Sequence, residues 1–234
     1  TIGELLGATY TRDEVALAGY SAIQLKSALY TITELETANF QRSTIIATGY
    51  TANDLKTSGY SATELFTGGY EIQSLLDANY SRADIAAAGY ENIVLKTSGF
   101  SANELQTFGK TIEQLTAIDY TRTDIALAGY SATELKTAEY SATELQVANY
   151  TIQQLTDASY TRNEIVIAGY TATELKNSNY LADELQSSGY TIQQLTTASY
   201  TRGEIILAGY EIALLKSAGY SADELQTGGY NISE

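Results

Sequence analysis

The chain has 234 residues, of which 44% are hydrophobic, enough to bury a continuous core. It contains no Cys, His, Met, Trp or Pro, which excludes thiolate and imidazole chemistry, disulfides and Cys/His metal sites, so we expect no cofactor. With 28 acidic and 13 basic residues the net charge is −15, which makes nucleic acid an unfavourable partner. No apolar run approaches the roughly 20 residues of a membrane-spanning helix, so no membrane insertion is expected.

The sequence is a tandem array of ten-residue repeats, which we number 1 to 23 from residues 1–10 to residues 221–230. The tenth place is Tyr or Phe in every repeat except at Lys110, and the fifth place is always aliphatic. We predict a single tandem-repeat domain over residues 1–234, ending in the partial repeat 231–234. Because the chain has no initiator Met and stops within a repeat, we interpret it as a segment of a longer array.

Each repeat is predicted to form one short capped helix. In residues 131–140, Ser131 and Glu134 match a capping box, in which each side chain bonds a free backbone N–H of the first turn. Gly or Asn at most ninth places supplies the left-handed residue that ends a helix. Such short helices are unstable alone, so neighbouring repeats must bury their apolar faces. The predicted fold is therefore all-α, a solenoid of short helices.

A second, longer period of four repeats is superimposed on the first. Arginine at place two and lysine at place six of the following repeat both recur in every fourth repeat, after a first interval of three repeats. We expect four repeats per superhelical turn, giving a four-sided, rod-like solenoid. The alternative is two repeats per turn, with the longer period reflecting two turns or duplication history.

The basic residues form two columns of possible surface contacts. A regular row of cations can bind a polyanion or a row of carboxylates. The alternative is a solvated or locally paired column, because Asp or Glu lies two residues after most of the arginines. The columns are Arg12, Arg42, Arg82, Arg122, Arg162 and Arg202, and Lys26, Lys56, Lys96, Lys136, Lys176 and Lys216.

Four residues depart from the repeat pattern and are further candidate contact points, or simple drift. Lys110 replaces the aromatic residue, and we expect Phe108 to fill the space that it leaves. The other two are Phe66 at a usually polar sixth place and Leu181 at a cap position.

We expect no enzymatic activity, because the regular acidic row repeats a capping role and gives no carboxylate a distinctive environment. The sequons at Asn79, Asn149 and Asn231 would carry glycan only in a chain secreted by a eukaryote.

The sequence therefore favours a structural or interaction segment: a rigid rod or fibre-forming spacer of a larger cell-surface, extracellular or viral protein. The repeats at both ends lack a polar outer face, so end-to-end self-association is expected. The alternative is an acidic DNA mimic, or a protein-binding scaffold, that captures a basic partner.

Overall fold

The structure is a computed structural model that describes residues 1–230. These residues form 23 α-helices and no strands, one helix in each repeat, which confirms the all-α solenoid. The helices are α1 (Ile2–Gly7), α2 (Arg12–Ala16), α3 (Ala22–Ser27), α4 (Ile32–Thr37), α5 (Arg42–Ala47), α6 (Ala52–Thr57), α7 (Ala62–Thr67), α8 (Ile72–Asp77), α9 (Arg82–Ala87), α10 (Asn92–Thr97), α11 (Ala102–Thr107), α12 (Ile112–Thr116), α13 (Arg122–Ala126), α14 (Ala132–Thr137), α15 (Ala142–Val147), α16 (Ile152–Asp157), α17 (Arg162–Ile167), α18 (Ala172–Asn177), α19 (Ala182–Ser187), α20 (Ile192–Thr197), α21 (Arg202–Leu207), α22 (Ile212–Ser217) and α23 (Ala222–Thr227).

The chain divides into two compact halves, Thr1–Asp119 and Tyr120–Glu234. Both are built from the same helical repeat, so the local geometry below applies to each half taken by itself. The single domain over residues 1–234 stays a prediction.

The predicted capping box is confirmed in most repeats, and the helix stop in all of them; the N-caps Gln41, Glu71, Glu91 and Glu211 make no side-chain cap bond. In α14 the hydroxyl of Ser131 accepts the N–H of Glu134 at 3.2 Å, and the Glu134 carboxylate accepts the N–H of Ser131 at 2.7 Å. Two residues after α14 ends comes the left-handed Glu139, whose φ is 61°, and the N–H of Tyr140 donates to the carbonyl of Leu135 at 3.0 Å. This is the Schellman arrangement, which satisfies carbonyls that a helix end leaves free.

The left-handed ninth residue is not restricted to Gly and Asn. All 23 ninth places have positive φ, and six of them hold other residue types. A non-Gly residue in this conformation costs on the order of 1 kcal/mol or more, and the hydrogen bonds at the helix end offset that cost. These six residues are Thr9, Leu29, Asp119, Glu139, Ser159 and Ser199.

The expected four repeats per turn is wrong: the superhelix completes a turn every two repeats. Helices in close contact include α14 with α16 and α19 with α21, which are separated by one helix. Side-chain hydrogen bonds between repeats join residues 17 to 24 positions apart, as between the hydroxyl of Tyr80 and the carbonyl of Tyr60. The reason is the left-handed residue, which with the extended residues after it reverses the chain at each junction. Two helices therefore close one turn.

The longer period of four repeats consequently corresponds to two turns. Within each half, odd-numbered repeats stack on one face and even-numbered repeats on the other. Arg42 and the later arginines lie in odd repeats, whereas Arg12, three repeats before Arg42, lies in an even repeat. The first interval of three repeats thus moves the column from one face to the other.

The core is built from apolar side chains and lies along the fifth place of the repeats. From Val15 onward every fifth residue is buried, and no polar or charged residue among residues 1–230 is classed as buried. In repeats with Arg at place two, an apolar sixth residue such as Ile46 or Val166 is buried as well. The apolar stripe thus shifts by one position where the second place is charged.

The aromatic tenth residues form two columns, one per face. In most odd-numbered repeats the tyrosine hydroxyl donates to the backbone carbonyl 20 residues earlier, for example from Tyr190 to Tyr170 at 2.5 Å, whereas Tyr30 donates to the carbonyl of Arg12. In the even-numbered repeats the bond forms on alternate turns, as from Tyr200 to Tyr180 at 2.7 Å. Phe40 and Phe100 both lie in the even column, where some tyrosine hydroxyls, such as that of Tyr140, make no hydrogen bond among residues 1–230.

We expect Tyr170→Phe to destabilise the protein by about 1 kcal/mol, because it leaves the carbonyl of Tyr150 without its donor at a partly buried position. Tyr140→Phe is the matched control. The Tyr140 hydroxyl is buried without a hydrogen-bond partner among residues 1–230, so its removal should cost nothing. Urea unfolding of both variants measures the difference. Equal losses of stability would contradict the assignment of the two columns.

Candidate functional site

Each arginine of the column is held by the next turn of the solenoid. The guanidinium of Arg162 donates from Nε and Nη2 to both carboxylate oxygens of Glu184, at 2.6 and 2.7 Å. Its Nη2 also donates to the carbonyl of Asn179 at 2.9 Å, and its Cζ lies 3.8 Å from the ring centroid of Tyr180. Bidentate pairing and ring stacking are the contacts for which arginine is better suited than lysine.

The same set of contacts recurs at all six arginines. Each reaches the carbonyl 17 residues ahead, the aromatic ring 18 ahead and the glutamate 22 ahead. The pairs are Arg12–Glu34, Arg42–Glu64, Arg82–Glu104, Arg122–Glu144, Arg162–Glu184 and Arg202–Glu224.

Five of the six arginines have an acid two residues later, and in none of them is that acid the bidentate partner. Glu164, for example, accepts the N–H of Thr161 and caps its own helix, while Arg162 pairs with Glu184. Sequence analysis found the regular row of glutamates but missed this pairing. The available signal was the separation along the chain between each arginine and its glutamate, which is the same in all six pairs.

The pairing fixes the charge state of the glutamates. Hydrogen bonding to the arginine lowers the pKa of Glu34 and of Glu144 from 4.5 to about 2, and the pKa of Glu224 is lowered likewise. The same bond raises the pKa of Arg122. The glutamate has a second role, because Glu144 also accepts the N–H of Ser141 at 2.8 Å and so caps its own helix.

The lysine column caps helix C-termini. Nζ of Lys26 donates to the carbonyls of Thr48 and Gly49 at 2.9 and 2.6 Å, and lies 5.0 Å from the ring centroid of Tyr50. These carbonyls belong to the two residues directly after α5, at the helix C-terminus, where the helix dipole favours a cation. Equivalent carbonyl bonds are made by Lys56, Lys96, Lys136 and Lys176. Lys216 is exposed, and the two positions that would supply its acceptors lie past residue 234.

The arginines and the first five lysines are therefore engaged within the solenoid. A role for either column in binding an external polyanion stays a prediction. An incoming anion at the arginines would have to displace a carboxylate that already makes two hydrogen bonds to each guanidinium.

The four departures from the pattern do not lie together. The Phe66 ring packs edge-on against Tyr90, with centroids 4.7 Å apart. The Phe108 ring lies 6.4 Å from the ring of Phe100, and Lys110 is half-buried. Leu181 is 62% exposed.

The missing cap hydroxyl at Leu181 is replaced locally. Asp183 accepts the N–H of Glu184 at 3.0 Å, which is the bond that Ser or Thr makes elsewhere. The Glu184 carboxylate still accepts the N–H of Leu181 at 2.7 Å. The helix end thus keeps both bonds without a hydroxyl.

Asn79 and Asn149, the sequon asparagines, are exposed at left-handed ninth places. Asn231 lies outside the described residues. Within residues 1–230 no cluster of three or more acidic side chains is arranged to hold a metal ion. No helix in that part of the chain is long and apolar enough to cross a membrane.

Short capped helices, a left-handed junction and a two-repeat turn define a class of all-α repeat proteins. The family model described as Decapeptide repeat region matches residues 49–122, 119–186 and 168–234, and the chain belongs to this family. A repeat family of this kind and an all-helical repeat fold are non-enzymatic in kind. No curated protein matches the chain significantly.

We expect Glu144→Gln to lower stability by about 0.5–1 kcal/mol through loss of the ion pair with Arg122. The amide oxygen of Gln can keep the cap, as Gln154 does by accepting the N–H of Thr151 at 2.8 Å. Glu134→Gln is the control, because Glu134 caps Ser131 and makes no arginine contact among residues 1–230. Urea unfolding should show the larger loss for Glu144→Gln. Equal losses would assign the effect to capping alone.

We expect stability to be flat near neutral pH and to fall at both extremes. Stability from the arginine-paired glutamates is present above their ordinary pKa of 4.5 and is lost as the pH falls towards 2. Burial raises the pKa of six tyrosines from 10.0 to about 12, so their stability is lost as the pH rises from 10 towards 12. They are Tyr60, Tyr80, Tyr160, Tyr170, Tyr200 and Tyr210.

Urea midpoints measured across the pH range test this expectation, with tyrosinate absorbance reporting ionisation directly. The chain has no His, so a decline between about pH 6 and pH 8 would contradict it.

Proposed function

We propose that the protein is a structural repeat segment, a rigid rod or fibre-forming spacer that associates end to end, and not an enzyme. The observation that carries the proposal is the use of the recurring polar side chains. Arginine, lysine, tyrosine and cap residues bond the neighbouring turn or their own helix. The same bonds extend an array one turn at a time, and a second copy can supply the next turn.

The C-terminal end presents donors and acceptors that the register leaves to a following turn. Lys216 corresponds to Lys56, which donates to the carbonyls of Ala78 and Asn79. The carbonyl of Tyr220 corresponds to that of Tyr60, which accepts the hydroxyl of Tyr80 at 2.7 Å. A further repeat stacked on this end would therefore form both kinds of bond.

The N-terminal end has the matching sequence. Repeat 1 has Ile2 and Leu5, like the repeats that directly follow Glu64, Glu104, Glu144 and Glu184, and repeat 23 carries the glutamate of the last Arg–Glu pair. In register, the carbonyls of Ala8 and Thr9 in a second copy face Lys216, and its Tyr10 hydroxyl faces the carbonyl of Tyr220. Tyr10 is 53% exposed and Leu5 is half-buried, so stacking also covers apolar surface.

We expect Lys216→Ala to weaken end-to-end association, because it removes the donor to the second copy. Lys176→Ala is the matched control, since Lys176 donates to Ser199 within its own chain. Sedimentation velocity and negative-stain electron microscopy over a range of concentrations measure assembly. The unaltered chain should form particles of constant width whose length grows with concentration.

Deleting residues 231–234 should strengthen assembly. By sequence they match the first four places of a repeat, as Thr1–Glu4 do, so the deletion removes the alternative to repeat 1 of a second copy. A chain that stays monomeric at every concentration, with and without this deletion, would overturn the proposal. Equal effects of the two lysine variants would overturn the register.

A further inference from the structure

Two equivalent grooves lie in the C-terminal half. Each lies at what we call a corner: the place-six residue of a glutamate repeat, with the tenth-place tyrosines of that repeat and of the second repeat after it. The first is lined by Tyr150 and Tyr170 and the second by Tyr190 and Tyr210, and each has a volume of about 430 Å³. Their lining residues correspond one to one with an offset of four repeats, so they are the same site repeated two turns apart. This volume is within the range of small-ligand sites, about 300–1,000 Å³.

The rings in the grooves are held in place. The hydroxyl of Tyr170 donates to the carbonyl of Tyr150, and the hydroxyl of Tyr210 to the carbonyl of Tyr190. The rims carry amides, with Gln146 and Gln153 at the first groove and the corresponding Gln186 and Gln193 at the second. Each groove thus presents part of a half-buried ring, Tyr150 or Tyr190, and the small exposed part of a fixed ring that is only 6% exposed, Tyr170 or Tyr210, between adaptable polar edges.

In the N-terminal half the corresponding corner contains an aromatic side chain of the protein itself. Phe66 occupies the place of Gln146, and its ring packs edge-on against Tyr90, which corresponds to Tyr170. The space beside the nearby glycine, Gly89 or Gly169, differs in the same way. A Cβ added at Gly89 would lie 2.7 Å from the Phe66 ring, whereas one added at Gly169 would lie 3.9 Å from the Gln146 amide. A phenyl ring therefore fits this corner, and Gln146 leaves it open.

The electrostatics select the charge of a ligand. The net charge is −15, and the arginines are paired with glutamates, so the remaining acids give the surface a negative field. Glu174 lies on the rim of the first groove. At the second groove Leu214 takes the corresponding position and makes the rim more apolar.

We propose that the two grooves bind aromatic side chains of a basic partner protein, with the ring seated on the paired tyrosines as Phe66 is on Tyr90. Lysine or arginine next to the aromatic residue contacts the acidic surface, most directly at Glu174. Because the grooves lie two turns apart, a partner with two such side chains engages both and gains avidity. The proposal concerns the sides of the array and does not depend on end-to-end association.

The test uses acetyl-Lys-(4-fluoro-Phe)-Lys amide as the probe and follows its binding to the full chain by fluorine NMR. We expect two saturable sites, with the tighter one at Glu174 weakening as salt is added. The same peptide with Leu in place of the aromatic residue should bind at least about tenfold more weakly, because it cannot pack edge-on against tyrosine.

Two reciprocal variants change the number of sites. Gln146→Phe should fill the first groove and leave one site. Phe66→Gln should open the corner at Tyr90 and create a third site. Circular dichroism and urea unfolding check that each variant is folded, and Thr133→Ala, at an exposed residue outside both grooves, serves as a control that should keep both sites.

The proposal is overturned if the unaltered chain shows no saturable binding of the aromatic probe. It is also overturned if Gln146→Phe, folded, retains both sites. Should Phe66→Gln fail to fold, Gln146→Phe decides by itself. Binding that persists in Lys216→Ala, whatever that variant does to assembly, separates this inference from the proposed function.

Discussion

The whole structure depends on hydrogen bonds between a side chain on one turn and backbone carbonyls on the next. A six-residue helix has too few internal bonds to be stable by itself. Its last carbonyls are also left without partners inside the helix. Lys26 donates to the carbonyl of Thr48 directly after α5, and the Tyr190 hydroxyl donates to the carbonyl of Val166 in α17, while Arg162 donates to the junction carbonyl of Asn179. The bonds that stack the turns are thus also bonds that complete helix ends.

The local part of this fold was predictable from the sequence because its physics is local. A capping box spans three residues, as from Ser131 to Glu134, and the left-handed stop follows five residues after Glu134. The turn of the superhelix was not predictable in the same way. Turns that carry the paired arginine alternate with turns that carry its glutamate, as Arg162 and Glu184 do, so the sequence pattern recurs in every fourth repeat. The superhelical turn itself recurs in every second repeat, as the bond from Tyr80 to Tyr60 shows. Period alone therefore gave twice the correct number of repeats per turn.

Deviations from the repeat are accommodated between turns. A Cβ added at Gly68 would lie 2.2 Å from Cγ2 of Ile46, and one at Gly228 would lie 2.1 Å from Cγ2 of Ile206. At the corresponding positions 86 and 108 the sizes are reversed, with Ala at the first and Phe at the second. A large side chain at place six of one repeat is thus matched by a small residue at place eight of the repeat on the next turn, and the reverse. Sequence analysis considered Phe108 only together with Lys110, two residues away, and missed this relation. The signal lies at the separation that also pairs Arg with Glu.

This distribution of contacts determines where the surface can be specific. The cation columns recur regularly along the sequence, and the arginines and most of the lysines bond the next turn, so an external partner would have to compete with those bonds. The corners are different, because place six of the repeats that carry the arginine-paired glutamates holds different side chains. This variation does not alter the bonds that stack one turn on the next. Gln146 leaves its corner open and Phe66 fills the equivalent one, while both helices keep the same caps. A repeat protein held together by its recurring places can therefore acquire recognition only at the places that its stacking does not use.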